Sequence, residues 1–316
     1  MYQIITPKTE QELEKYYHLR WQMLKEPFGF PPGSEKDEYD SLAEHRMVYG
    51  SDGRVLAVGR VHFVSQDEAQ IRHVAVCSNC RGKGLGSLIM TTLEQVARAQ
   101  NAKRVITFSR ADSVAFFEHC GYQVIDNPII DIPGGQPSNR RQMVKKLSEF
   151  DGILRHPLWC KELQETWLNK IPITQAMGIK VFQYTGAQFE VRAALNANIN
   201  MHKTMFAGSI YSMATLAGWG MVHLLLKETS LRGSIVLGKG EISYRKAITK
   251  HPIAKVHLNN IEGELAPLRK GKKARLRLQV CLYDDARKCG DFFGEYYILP
   301  EQASDDLLAE SHPPAP

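Results

Sequence analysis

The sequence offers little that could hold a metal. Its six cysteines are spread along 316 residues, and only Cys77 and Cys80 form a CxxC pair. No second pair completes a zinc site. His202, His223 and His251 also lack ligand spacing, so no metal is expected. Scattered cysteines of this kind are expected to be reduced thiols in a cytoplasmic protein. The opening MYQIITPKTE runs straight into a charged helical pattern without signal-peptide character. A further shortage is local. No Asp or Glu occurs from Phe206 to Lys227, which excludes a carboxylate base within that run.

Net charge is uneven between the two halves of the chain. Residues 1–150 hold 19 Lys+Arg against 18 Asp+Glu, a balance of +1. Residues 151–316 hold 21 against 16, a balance of +5, so an acidic partner is to be sought there. The length suits about two domains, and the 43% apolar content can supply a core for each.

The acid-free run organises the second half. Asn196, Asn198 and Asn200 lead through His202 and Thr204 into Ala207-Gly208-Ser209, and an apolar stretch continues to Leu226. Gly208 allows close backbone approach, a helix start supplies free N–H groups, and the Asn200 amide can donate to an oxygen. Together they make a candidate oxyanion site. A run this long can span a membrane. Ser209, Tyr211, Ser212, Thr215 and His223 interrupt it, so a buried core helix is expected and no membrane contact.

In the first half, patterning gives a strand at 3–6, a helix at 8–25 and strands at 46–49, 55–64 and 69–76, with Ser51-Asp52-Gly53 as a hairpin turn. A glycine-rich loop, Arg81-Gly82-Lys83-Gly84-Leu85-Gly86, then separates a strand from a helix reaching about Ala99. Helix-start N–H groups with Arg81 and Lys83 can hold a pyrophosphate. A strand at 104–109 and a helix at 112–120 follow. The stretch 126–138 is rich in Pro and Gly, and 141–147 reads as a closing strand. The domain boundary is therefore placed near 150, with domains 1–150 and 151–316. Beyond it come a helix at 154–168, strands at 177–184 and 189–195, the central helix at 208–227, and strands at 234–244, 253–259, 274–283 and 291–299. The tail after about 300 is expected to fray.

The loop resembles the RxxGxG/A pyrophosphate motif of the GNAT acetyltransferases, on which Arg81, Gly82, Gly84 and Gly86 fall. The resemblance covers roughly 1–147 and implies a CoA or phosphopantetheine thioester as ligand. Many GNAT enzymes carry a tyrosine general acid where Phe117 stands here, and the strand before the loop lacks the glutamate often used as base. His73 or Glu118 is left as a substitute. The resemblance thus allows thioester binding without amine acetylation. The second half, a long helix followed by long antiparallel strands, resembles the hotdog fold, whose domains pair as dimers. The class is α+β.

In many hotdog thioesterases an Asn or Asp precedes a His-Gly-Gly helix start, and an acid within the helix activates water. Asn200 falls on the first position, Phe206-Ala207-Gly208 replaces the second, and Thr215 stands where the acid is expected. The whole chain resembles the bacterial two-domain GNAT–hotdog proteins, members of which decarboxylate malonyl-acyl carrier protein to acetyl-carrier protein as a primer for fatty acid synthesis. The resemblance implies catalysis by Asn200, Gly208 and Thr215, with His202 near the proton transfer and no cofactor beyond the thioester carrier. The cations Arg269, Lys270, Lys272, Lys273, Arg275 and Arg277 fit an acidic carrier protein. No aromatics interleave with them, against nucleic acid. Thioester hydrolysis, acetyl transfer by the first domain and non-catalytic ligand sensing remain as alternatives.

Overall fold

The computed structural model describes residues 2–125, 140–148 and 152–300. The chain divides into two compact units, Met1–Leu158 and Trp159–Pro316. The Pro- and Gly-rich stretch 126–138, the expected boundary at 150 and the tail after 300 lie outside the described residues.

The first unit runs β1 (Tyr2–Ile5), α1 (Glu10–Leu24), β2 (Glu44–Gly50), β3 (Val55–Phe63), β4 (Glu68–Val76), α2 (Leu85–Ala99), β5 (Arg104–Arg110), α3 (Val114–His119), β6 (Gln123–Val124) and β7 (Arg140–Lys146). One sheet holds the strands in the order β1-β2-β3-β4-β5-β7-β6. Among the described residues only β4 and β5 pair in parallel, and their ladder covers just residues 68–70 against 104–106. Beyond it the two strands part. Helices cover both faces. Adjacent residues on β2 and β3 point opposite ways: Val48 and Ala57 join Leu88, Ile89 and Leu93 of α2, while Met47 and Val58 join Tyr16 and Leu19 of α1. α1 opens on a capping box. Thr9 Oγ1 accepts from Glu12 N at 3.2 Å, and the Glu12 carboxylate accepts from Thr9 N at 3.0 Å.

The second part of the chain comprises α4 (Pro157–Lys170), within which the division falls, α5 (Ile173–Ala176), β8 (Lys180–Tyr184), β9 (Gln188–Arg192), α6 (Ala207–Glu228), β10 (Ser234–Tyr244), β11 (Pro252–Glu264), β12 (Ala274–Asp284) and β13 (Arg287–Leu299). The strands form an antiparallel sheet, β10-β13-β12-β11-β9-β8, packed against α6. This is the hotdog arrangement; the first unit is GNAT-like, and the chain as a whole is α+β. Ile210, Met213, Ala217, Met221 and Leu224 of α6 are buried.

Several expectations change. α4 starts at Pro157 rather than 154, because proline suits a first helical turn. The strand expected from 177 starts at Lys180, since residues 173–176 coil into α5 and Gly178 turns with φ of 61°. The strand expected to 195 stops at Arg192, before a 3-10 turn at Leu195–Asn198. α3 is shorter than expected because Ala111–Ser113 forms a 3-10 turn. Although α6 is long and apolar enough to span a membrane, it is not buried all round. Tyr211, Ser212, Thr215, Trp219 and His223 stay partly exposed on one face. The expectation of uniformly reduced thiols also fails. Cys77 and Cys80 are disulfide-bonded, since the turn Ser78–Cys80 brings their Cα atoms to 5.3 Å. Cys120, Cys160, Cys281 and Cys289 are free and buried.

The packing of α6 depends on small residues. A Cβ at Gly220 would lie 2.7 Å from the Phe189 ring and 2.8 Å from the Trp167 ring. Gly220→Val should therefore lower stability by ~1–3 kcal/mol despite its better helix propensity than glycine. A denaturant midpoint measured on the purified variant checks this, and an unchanged midpoint would refute the packing.

Candidate functional site

The segment before α6 is a small hairpin. Ile199 and Met205 form an antiparallel bridge, Asn200 N donates to Thr204 O at 2.8 Å, and Lys203 N donates to Asn200 O at 3.0 Å. Lys203 takes a left-handed φ of 57° to close the turn. The Asn200 side chain is half-buried and anchored inside it. Its Oδ1 accepts from His202 N at 2.9 Å and Thr204 N at 3.2 Å, and its Nδ2 donates to Thr204 Oγ1 at 3.0 Å. An amide nitrogen carries two hydrogens, so one remains for a ligand oxygen. His202 sits on the same turn, exposed.

Phe206 N donates to Asn198 O at 2.7 Å, which ties the hairpin to the start of α6. No side chain caps that start. The first helical bond is Ile210 N to Phe206 O at 3.0 Å, so the N–H groups of Ala207, Gly208 and Ser209 have no acceptor within the helix. Gly208 is exposed there. Thr215 lies two turns on, along the same helix face. Its Oγ1 is buried without a hydrogen-bond partner, while its carbonyl accepts from Tyr296 Oη at 2.8 Å. A buried hydroxyl left unpaired wants a ligand or water. Thus Asn200 and Gly208 flank the helix entrance, Thr215 lies deeper, and His202 is at the rim.

Sequence patterning did not separate the three asparagines. Asn198 is 3% exposed and donates to Met177 O at 2.8 Å and Ala194 O at 2.7 Å, which makes it a strut for the loop. Both partners are backbone carbonyls, and side-chain identity carries no signal of such a contact.

In the first unit, Arg81, Gly82 and Lys83 are exposed in the loop before α2. Gly82 and Gly84 have φ of 74° and 73°, which favours glycine. Gly84 also meets its own chain: a Cβ there would lie 2.5 Å from Arg155 O, and Arg155 Nε donates to Lys83 O at 2.9 Å. Gly86 is buried, and a Cβ there would lie 2.9 Å from the Phe116 ring. No side chain caps α2, leaving its first N–H groups for an anion.

Residues 13–122 match the family model "Acetyltransferase (GNAT) family", and residues 160–300 match "Putative thioesterase (yiiD_Cterm)". The chain joins a GNAT-family domain to a domain of that thioesterase family. The thioesterase-family domain is similar to a solved "putative thioesterase" from Shewanella oneidensis. The two are 39% identical over 45% of this chain and 99% of the other, with a TM-score of 0.44. The GNAT domain is similar to the "Uncharacterized N-acetyltransferase YjcF" of Bacillus subtilis. These are 25% identical over 121 residues, 38% of this chain and 85% of the other.

Phe117 is 8% exposed and packs edge-on against Phe116 and Tyr122, so no hydroxyl stands at its position. His73 sits where β4 carries one extra residue against β3, with φ of 56°. Its Nε2 meets Asp37 Oδ2 at 3.0 Å. Burial, opposed by Asp37 and helped by nearby arginines, pushes the His73 pKa down to about 4. His62 is likewise pushed down to about 4 by burial and by Arg60. Glu118 is exposed.

These two histidines make stability pH-dependent. Their folded values lie below the ordinary 6.5, so the unfolded chain binds more protons between about 4 and 6.5. Their contribution is complete above about 6.5 and is lost as pH falls toward about 4. Urea midpoints for the GNAT domain should drop through that window, and His73→Gln should flatten the drop. A pH-independent midpoint would contradict the burial of both rings.

Proposed function

We propose that the thioesterase-family domain decarboxylates a malonyl thioester on acyl carrier protein, leaving acetyl-carrier protein to prime fatty acid synthesis. The observation that carries this is the α6 face itself. It offers N–H groups and a neighbouring amide, yet no Asp or Glu from Phe206 to Lys227. Glu228, at the far end of the helix, is bonded to Tyr184. Hydrolysis needs an activated water or nucleophile. Decarboxylation does not. The C–C bond to the malonyl carboxylate breaks, carbon dioxide leaves, and the electron pair passes into the thioester as an enolate. A proton from water then completes the methyl group.

The remaining Asn200 N–H and the Gly208 N–H meet the enolate oxygen, and Thr215 Oγ1 orients the thioester. Each oxyanion donor is worth about 3–4 kcal/mol in comparable sites. A dimer fits the reading. β10 pairs with β13 on one side only, and its Val236 and Tyr244 are exposed apolar residues on an edge. Thioester hydrolysis is the second reading, favoured by the family description of residues 160–300.

The deciding experiment incubates the protein with malonyl-carrier protein and weighs the product. Acetyl-carrier protein with the thioester intact supports decarboxylation, whereas free thiol and malonate support hydrolysis. Asn200→Ala should lower kcat by ~10²–10³ with the oligomer unchanged in size-exclusion chromatography. Full activity in that variant would overturn the assignment.

Carrier recognition rests on Arg269, Lys270, Lys272, Lys273, Arg275 and Arg277, all exposed. Arg275 and Arg277 share the outer face of β12, with Arg275 paired to Glu295 at 2.8 Å. Lys272→Glu with Lys273→Glu should raise KM for malonyl-carrier protein about tenfold and leave kcat unchanged. Raising the salt concentration should do the same to the wild type. Equal KM values in steady-state assays would remove this surface from the docking site.

A further inference from the structure

The short β4–β5 ladder leaves a cleft of about 410 Å³ in the GNAT domain, a volume suited to a small molecule. Its charge has one sign. Lys25, Arg72, Arg110 and Arg140 line it, and no Asp or Glu does among the described residues.

The carboxylates nearby are already engaged. Asp40 bridges Arg20 at 2.7 Å and Arg60 at 3.0 Å, and both arginine side chains are fully buried. Asp37 holds Arg60 at 2.7 Å and His73 at 3.0 Å. Arg110 stacks over the Phe28 ring and reaches the exposed Asp112 at 3.7 Å. Lys25 lies over the Phe30 ring at 5.3 Å. Arg72 differs from these: half-buried in the cleft wall, its side chain makes no hydrogen bond or ion pair with a described residue, and the acid whose charge reaches it, Asp37, is already held by Arg60 and His73.

A guanidinium partly removed from water, with three arginines near it and only the shared charge of Asp37 to offset them, is costly to hold, and a planar bidentate acid is its natural complement. We propose that this cleft binds the carboxylate of a small molecule, with Arg72 as the anchor and Lys25 and Arg140 beside it. Four cations repel a protonated amine such as a protein lysine. Phe117 lines the same cleft and has no proton to give. The cleft therefore selects its ligand by charge. The carboxylate has two possible sources: the far end of an acyl group carried on CoA, or a free dicarboxylate or acidic amino acid. The inference is independent of the reaction at Asn200.

Calorimetric titration of the full-length protein separates the sources. Succinyl-CoA binding at least tenfold tighter than acetyl-CoA supports an acyl-borne carboxylate. Succinate or glutamate binding to the acetyl-CoA-loaded protein supports a free one. Either preference should fall at least tenfold in Arg72→Gln and partly return in Arg72→Lys, with acetyl-CoA affinity unchanged. Arg140→Gln, at an exposed position, gives a smaller loss and guards against a folding defect at Arg72. Equal binding of both thioesters, with no binding of succinate or glutamate, would overturn the proposal. So would a carboxylate preference that survives Arg72→Gln. Turnover of malonyl-carrier protein by Arg72→Gln, measured in parallel, should equal the wild type, which keeps this test separate from the decarboxylase reading.

Discussion

The second domain depends on one constraint: an apolar helix of 22 residues has to be covered. The hydrophobic effect drives α6 against the sheet, and glycines set how closely it can lie. Gly218 admits the Tyr296 ring, and Gly220 admits Phe189 and Trp167. The Tyr296 hydroxyl, having reached the helix, donates to the Thr215 carbonyl. Packing and site are thereby linked. The close approach that buries one face of α6 also fixes the position of Thr215 on another. The uncapped helix start and the hairpin carrying Asn200 follow from the same placement, because Phe206 belongs to both.

The GNAT domain is built around a different constraint, two arginines without solvent. Arg20 comes from α1 and Arg60 from β3, and both are neutralised by Asp37 and Asp40 from the intervening loop. Removing one partner of a buried ion pair leaves an uncompensated charge, so the loop is held where the acids must sit. Burial tends to raise the Asp37 carboxyl, and the His73 hydrogen bond and the Arg60 charge overcome it, holding the group well below the usual carboxylate range. With Asp37 and Asp40 committed to these pairs and no acid among the described residues lining it, the neighbouring cleft keeps an excess of positive charge.

Much of this was legible in the sequence. The strand–loop–helix around Arg81 and Gly84 and the order of strands after α6 are written in local patterning, because period and glycine position are local quantities. Ends were less legible. The strand expected from 177 starts only at Lys180 because Gly178 turns the chain with a positive φ, and nothing in the pattern of 177–179 opposes a strand. The roles of Asn198 and Asn200 depend on which carbonyls and hydroxyls lie within reach, and identical residues two positions apart carry no mark of that. The Arg20–Asp40–Arg60–Asp37–His73 cluster was missed entirely. Its members come from α1, a loop and two strands; the two arginines and two aspartates each read as an ordinary surface charge, and His73 stood out only as a substitute base. The disulfide was missed because compartment was weighed above local distance. A turn of three residues brings Cys77 and Cys80 together whatever the compartment.

β12 alternates between core and solvent over residues 274–278. Ala274, Leu276 and Leu278 point to the core, and Arg275 and Arg277 point to solvent on the same strand. A one-residue slip in register would drive two guanidinium groups into the core and lift three apolar side chains into water. Mispairing is thus penalised twice, once by lost burial and once by charge desolvation. The arginines act as an alignment key during assembly of the sheet, and a substitution that neutralises them relaxes the fidelity of folding as well as the surface charge.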